Sequence, residues 1–279
     1  MARSHILKAF SDIDTALWLH QQSLGLSVAE MVSFAKEQGL PVNDSANFEA
    51  AQVLAELGLA ERETRSLTPS GIDFYRIWQT RRSDAVDIIH GLQYGLWKPY
   101  NPSENVSSWA YRTICDYLWE RQSLPDSSDS LARYVNSQRD AVSSIPPDVG
   151  NAFSNKSIAD AYDWLIPLDP AVMEGVSEAG AARSFRQSTF QRRNYCSAPL
   201  FLMAVDHLVL ELGQQYGDLL IIDGENQRRL CMFCLIEEPA VELMLDDALR
   251  RFPHLLSFQR EWGMFVSLTR QPQMADFLS

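Results

Sequence analysis

Cys231 and Cys234 stand three apart in Cys-Met-Phe-Cys, a spacing that suits zinc chelation or a redox dithiol. The pair supplies only two ligands, since Cys115 and Cys196 form no second such pair and no two histidines stand at metal-ligand spacing. The flanking LCMFCLI is apolar, so the expectation is two buried thiols in a core strand. His207 follows Asp206 and precedes Glu211 by four residues, which puts His207 and Glu211 on one helix face. No HExxH accompanies them, and a satisfied core histidine is expected. His5, His20, His90 and His254 have no ligand spacing either. The chain also lacks a phosphate-binding glycine loop, GxGxxG and GxSxG. These residues predict a non-enzymatic protein with no catalytic residue, no cofactor and no metal.

Two further groups carry charge in a pattern. The stretch ARSFRQSTFQRRNY holds Arg183, Arg186, Arg192 and Arg193, with Phe185, Phe190 and Tyr195 between them, and no acid occurs between Glu178 and Asp206. Arginine with aromatics suits a phosphate backbone or single-stranded bases. It equally suits an acidic protein surface, or internal pairing with the chain's surplus carboxylates. The second group is Asp218, Asp223 and Glu225 in GDLLIIDGENQRR. Asp218 followed by Glu225-Asn226-Gln227 resembles the metal-dependent nucleases of the restriction-enzyme type, which set an acid on one strand and Glu-x-Lys or Glu-x-Gln on the next. That resemblance implies metal-dependent cleavage, although the usual lysine is missing. As residues alone, the same acids fit a hairpin turn, Asp-Gly being a favoured turn pair.

Composition bounds these readings. The 279 residues are 46% hydrophobic and 22% charged, which excludes a disordered tail or a fibre, and 13 Gly with 13 Pro exclude a collagen-like chain. A net charge of -12 argues against a general nucleic-acid coat. Twenty Arg stand against four Lys, a bias that suits specific contacts to carboxylate and phosphate and that genome composition also produces. Four dispersed cysteines are no disulfide framework and fit a reducing compartment. The opening MARSHILKAFSDID has no apolar core of signal-peptide length. The longest uncharged apolar run, Ala198 to Val205, falls far short of the roughly 20 residues of a membrane span. A cytoplasmic protein with no membrane contact is expected.

The elements that must position these residues fall into three expected parts: 1–90, 91–175 and 176–279. In the first, Thr15–Gln22 reads as a helix. Ser27 with Glu30 forms a capping-box pattern opening a second, which stops at Gly39. A third begins near Asn43-Asp44-Ser45, carries Phe48, Ala51, Val53, Leu54 and Leu57, and ends at Gly58. Leu59–Thr64 and Ser66–Thr68 read as two short strands, and Pro69 opens another helix. The middle part is helical, with a turn-rich start over GLQYGLWKPYNPSENVSS, helices over Trp109–Arg121, from Ser128 or Asp129 to Arg139 and over Ile158–Ile166, and a linker at SSIPPDVGNAFSN. The last part mixes a buried helix over Ala198–Gln215, strands at Leu219–Ile222, Arg229–Ile236 and Phe265–Leu268, and a helix over Pro239–Arg251. The fold class expected is mainly α with small β elements (α+β).

Three short helices, a two-stranded wing and a following helix, carried by "LGLAERETRSLTPSG", resemble the winged-helix superfamily over about 75 residues. The middle part reads as a possible degenerate second copy, with no clear wing. The resemblance implies that the third helix enters a DNA major groove. That helix carries Asp44, Glu49 and Glu56 and no Lys or Arg, and residues 1–90 hold 12 acids against 8 bases. A groove helix needs cations to replace displaced counterions, so a protein-protein module fits better. The expected function is an accessory or adaptor subunit of a nucleic-acid-handling complex, with a protein partner or homodimer. Acidic winged-helix proteins of this kind resemble the subunits that bridge kleisins in chromosome-condensing ATPases, and the size fits anti-phage defence operons. The alternative is a DNA-binding transcriptional regulator. Arg62, Arg65, Arg183, Arg186, Arg192 and Arg193 are the candidate contacts to nucleic acid or partner.

Overall fold

The Ser27 side chain accepts a hydrogen bond from the Glu30 backbone N–H, and the Glu30 carboxylate accepts one from the Ser27 N–H at 2.8 Å. This reciprocal pair satisfies the free amides at a helix start and opens α2 (Val28–Glu37) where the sequence places it. The computed structural model describes residues 13–22, 26–39, 49–64, 66–98, 100, 105–125, 128–141, 161–174, 189–260 and 263–278. Within them the protein is mainly helical. The helices before and after α2 are α1 (Ile13–Gln22), α3 (Glu49–Glu56), α4 (Pro69–Thr80), α5 (Arg82–Gly95), α6 (Val106–Arg121) and α7 (Ser128–Ala141). They are followed by α8 (161–165), α9 (Ala198–Glu211), α10 (Gly224–Cys234) and α11 (Val241–Arg251).

The β structure is small and antiparallel. β1 (Met173–Glu174) pairs with β2 (Thr189–Phe190). β3 (Leu220–Ile221), β5 (Phe265–Leu268) and β4 (Leu256–Gln259) form a three-stranded sheet in that order, with Leu220 opposite Val266 and Phe258 opposite Val266 on the other side. The strand expected at Phe265–Leu268 is present with those bounds.

The segment between α3 and α4 is a tight hairpin rather than two strands. Ala60 and Leu67 form a single bridge, flanked by hydrogen bonds from Glu61 N–H to Ser66 O at 2.8 Å and from Thr68 N–H to Leu59 O at 3.1 Å. Thr68 then caps α4 by accepting from Gly71 N–H at 3.0 Å, while its hydroxyl donates to Gly58 O at 2.9 Å. Gly71 has to be glycine here, because a Cβ would lie 1.8 Å from the Leu59 carbonyl oxygen. Trp78 Nε1 donates to Asp14 at 2.5 Å, which fastens α4 to α1.

Two further expectations need correction. The first five residues of the turn-rich stretch, Gly91 to Gly95, are instead the end of α5, so the boundary drawn at 90/91 falls inside a helix, while Leu96 to Lys98 and Tyr100 are non-helical. Gly91 is there for close approach, not for a turn: a Cβ would meet Leu200 Cδ1 at 2.8 Å and Met203 Cε at 2.9 Å on α9. The strand expected at Arg229–Ile236 is mostly α10. Asp223 caps that helix by accepting from Asn226 N–H at 2.9 Å, and Leu235 ends it at a left-handed φ of 57°. A short apolar run such as LCMFCLI has no period of its own to separate helix from strand.

α9 is the central element, buried nearly all round and packed against α5, α10 and α11. α4 also packs on the C-terminal 3-10 turn Met274–Leu278, where Arg81 donates to the Phe277 carbonyl and Arg270 pairs with Asp276 at 2.7 Å. One contiguous hydrophobic core therefore runs from Ile13 on α1 to Phe277. The linker expected at 143–155 and the boundary at 175/176 lie outside the described residues. Among the described residues, no helix is long and apolar enough to cross a membrane.

Candidate functional site

Three helices and one loop converge on a cleft of about 840 Å³. α6 contributes Arg112, α9 contributes His207, Leu210 and Glu211, α10 contributes Glu225, Arg228, Arg229 and Met232, and the segment after α5 contributes Lys98 and Tyr100. Helical spacing explains the grouping. His207 and Glu211 lie one turn apart on α9, as the sequence predicts, and Glu225 and Arg229 lie one turn apart on α10.

The cleft floor is a fixed polar network. Arg112 Nη1 donates to Glu211 Oε1 at 2.6 Å, and His207 Nε2 lies 3.1 Å from the same oxygen. Burial pushes the Glu211 carboxyl up, but the His207 and Arg112 hydrogen bonds and charges outweigh it and hold the group down at about 2. An ionised Glu211 requires donors, so His207 Nε2 carries the hydrogen, and Arg112 Nη1 at 3.3 Å is a neighbour of that nitrogen rather than a donor to it. Burial lowers the His207 pKa against the opposing pull of Glu211.

Behind this layer, Tyr94 OH donates to Asp116 Oδ1 at 2.6 Å, and Asp116 Oδ2 lies 3.8 Å from Arg112 Nε. Burial raises the Asp116 carboxyl to about 6 against the opposing pull of Arg112 and Tyr94. The Tyr94 ring rests on Phe233 at 4.7 Å between centroids. Asp206, the third member of the sequence cluster, faces elsewhere and accepts from Tyr216 OH at 2.8 Å. A second groove of about 490 Å³ continues past His207 along α5 and α9 and shares Lys98, Tyr100 and Leu210 with the first.

The candidate basic contacts are distributed differently from one exposed island. Arg192 donates through Nε and Nη2 to the Trp119 carbonyl at 2.9 and 2.7 Å and stacks on the Trp119 ring at 3.7 Å. Arg193 is buried, with Nη1 donating to Asp87 Oδ1 at 2.7 Å and Nε to Cys234 O at 2.9 Å. Arg193 follows the expected pairing with a carboxylate and is closed to any partner in this fold, whereas Arg192, half-buried, is held by a backbone carbonyl and an indole ring instead. Arg62 is exposed in the hairpin turn. Arg65, Arg183 and Arg186 lie outside the described residues.

The remaining sequence candidates have separate structural contacts. Asp218 accepts from Gln215 N–H at 3.0 Å, Asp223 caps α10, and Glu225 pairs with Arg229. Glu225 thus sits on a helix, not on the second strand that the nuclease pattern requires. Cys231 and Cys234 are buried, as expected, but on α10. Among the described residues, no group of three or more His, Cys, Asp and Glu is placed to hold a metal ion.

Sequence reasoning picked out His207, Glu211 and Glu225 from this cleft and missed Lys98, Tyr100, Arg112, Arg228 and Arg229. Nothing in the spacing of the missed residues links them, since the fold alone brings α6, α10 and the post-α5 loop together. Comparison with known protein families, with curated proteins and with solved structures finds no match for the chain.

Proposed function

We propose that the protein is a non-enzymatic, winged-helix accessory or adaptor subunit of a nucleic-acid-handling complex, acting through protein-protein contacts in the cytoplasm. The observation that carries this reading is the internal commitment of Arg193 to Asp87 and of Arg192 to Trp119. Of the cations on which a DNA-binding alternative relies, Arg193 is thereby withdrawn from solvent and Arg192, half-buried, is held against Trp119. The acidic third helix of the N-terminal part supports the same preference, because phosphate contacts need cations that it lacks. The order α1 to α4 with its intervening hairpin supports the winged-helix assignment. A homodimer or a larger partner subunit, in a setting such as anti-phage defence, is the context proposed for it.

The test is the mass of the purified chain by light scattering across a concentration series, alongside a labelled DNA duplex. A species of twice the 31.6 kDa chain mass without duplex uptake is expected. A chain that stays monomeric throughout and takes up duplex overturns the reading in favour of a transcriptional regulator.

A further inference from the structure

The α6–α9–α10 cleft has a charge opposite to that of the whole chain. Its lining contains four cations, Lys98, Arg112, Arg228 and Arg229, against two carboxylates, Glu211 and Glu225, in a protein of net charge -12. The cations are not equally satisfied. Arg229 pairs with Glu225, and Arg228 reaches outward to Glu120 at 2.7 Å. Arg112 spends Nη1 on Glu211, and its Nη2 has no hydrogen-bond partner among the described residues.

Lys98 is half-buried and has no ion pair within 4.0 Å among the described residues. Burial lowers its pKa, while the charges of Asp206 and Glu211 favour the protonated form from a distance. A partly desolvated ammonium facing a cavity gains most from an anion that enters beside it.

The rest of the lining suits a flat, weakly polar body. Tyr100 stands at the rim 86% exposed, Leu210 is 44% exposed, and Met232 lies between α10 and the cavity. An aromatic ring at this level of exposure offers a stacking face for a base. The volume of about 840 Å³ falls within the roughly 300–1,000 Å³ typical of small-molecule sites. Arginine forks and a lysine are the groups that recognise phosphate.

We propose that this cleft binds a free nucleoside phosphate, with the phosphate held by Lys98 and Arg112 and the base laid against Tyr100, Leu210 and Met232. The proposal stands apart from the partner-binding role proposed above.

Isothermal titration of the full chain with AMP, GMP, CMP, UMP and ATP tests this, with adenosine, inorganic phosphate and a 5′-phosphorylated single strand as comparison arms. At least one nucleotide is expected to saturate with a dissociation constant of about 100 μM or tighter. Adenosine and inorganic phosphate are each expected to bind at least about tenfold more weakly. Lys98→Gln, at a half-buried position with no ion pair among the described residues, is expected to weaken the nucleotide about tenfold while leaving the unliganded melting temperature unchanged. Tyr100→Ala is expected to weaken nucleotide and leave inorganic phosphate unaffected. The proposal is overturned if none of the five nucleotides saturates, if Lys98→Gln binds as the parent does, if inorganic phosphate alone matches the best nucleotide, or if only the single strand binds.

Discussion

Asp87 on α5 and Arg193 ahead of α9 form an ion pair at 2.7 Å whose side chains are 2% and 0% exposed. The second Asp87 oxygen accepts from Ser197 N–H at 2.6 Å, at the cap of α9, so one carboxylate fixes both the arginine and the helix start. Arg193 Nη1 also lies 3.3 Å from the Asp169 carbonyl, and its backbone N–H donates to Leu235 O at 3.0 Å. This arginine is a structural hub between α5, the segment after α8 and the end of α10.

Removing one partner leaves a buried charge without its counterion. Arg193→Met alone is therefore expected to destabilise the protein by about 3–5 kcal/mol, whereas Arg193→Met combined with Asp87→Leu recovers a large part of that loss. Urea denaturation followed by tryptophan fluorescence checks both. A neutral Arg193→Met would contradict the hub.

The junction between the hairpin and α4 makes a second prediction. Gly71→Ala forces a methyl into the Leu59 carbonyl, a backbone atom that cannot rotate away. The expected loss is about 3 kcal/mol or more by the same denaturation assay, larger than ordinary overpacking. Thr68→Ala removes only the α4 cap and its bond to Gly58 O, and is expected to destabilise by about 1 kcal/mol. Equal effects would contradict the clash.

Local signals in the chain are legible where one residue satisfies its neighbours' backbone. Ser27 with Glu30, and Thr68 followed by Pro69, fix helix starts within a few residues, and the apolar run from Ala198 identifies the buried helix. The errors share another cause, which is tertiary context. Gly91 and Gly95 look like turn residues but are the points at which α5 admits the side chains of α9 and α10. Arg229–Ile236 looks like a strand because a short apolar run has no period of its own, although Asp223 caps a helix there. The cleft was barely legible. The spacing of His207 and Glu211 and the acid at Glu225 hinted at it, while Lys98, Arg112 and Arg229 come from elements far apart in sequence.

Burial of a titratable ring makes the third prediction. His90 Nε2 donates to Phe233 O at 2.9 Å, and Nδ1 lies 2.6 Å from Tyr111 OH. Burial, with the nearby Arg193 charge, lowers its pKa from the ordinary 6.5 to about 3. The unfolded chain takes up this proton first, so the contribution of His90 is full above pH 6.5 and is lost as pH falls toward about 3. Asp116 acts oppositely: its folded value of about 6 exceeds the ordinary 3.8, so its contribution is full below 3.8 and lost as pH rises through about 6. Comparison with His90→Gln isolates the histidine. Between pH 6 and 4, stability of the parent is expected to fall more steeply than that of the variant by about 1.4 kcal/mol per pH unit. Parallel curves would contradict a neutral, buried His90.

The thiols make the fourth. Cys115, Cys196, Cys231 and Cys234 are all buried, and burial raises the Cys231 thiol to about 12 and those of Cys115 and Cys234 well above their usual range. The thiolate is the reactive form. Native protein is therefore expected to react negligibly with an aromatic disulfide reagent over minutes, and all four thiols to react in urea. One fast native thiol would contradict the core placement.

The central claim is that the arginines at 192 and 193 serve the fold rather than a nucleic-acid surface. Fluorescence anisotropy of a labelled duplex and a labelled single strand, titrated at low and at near-physiological salt, tests it most directly. The account predicts no saturable uptake of either probe even at low salt, where electrostatic attraction is least screened. Tight binding that weakens steeply with salt, and that flattens in Arg186→Ala with Arg192→Ala, would contradict it.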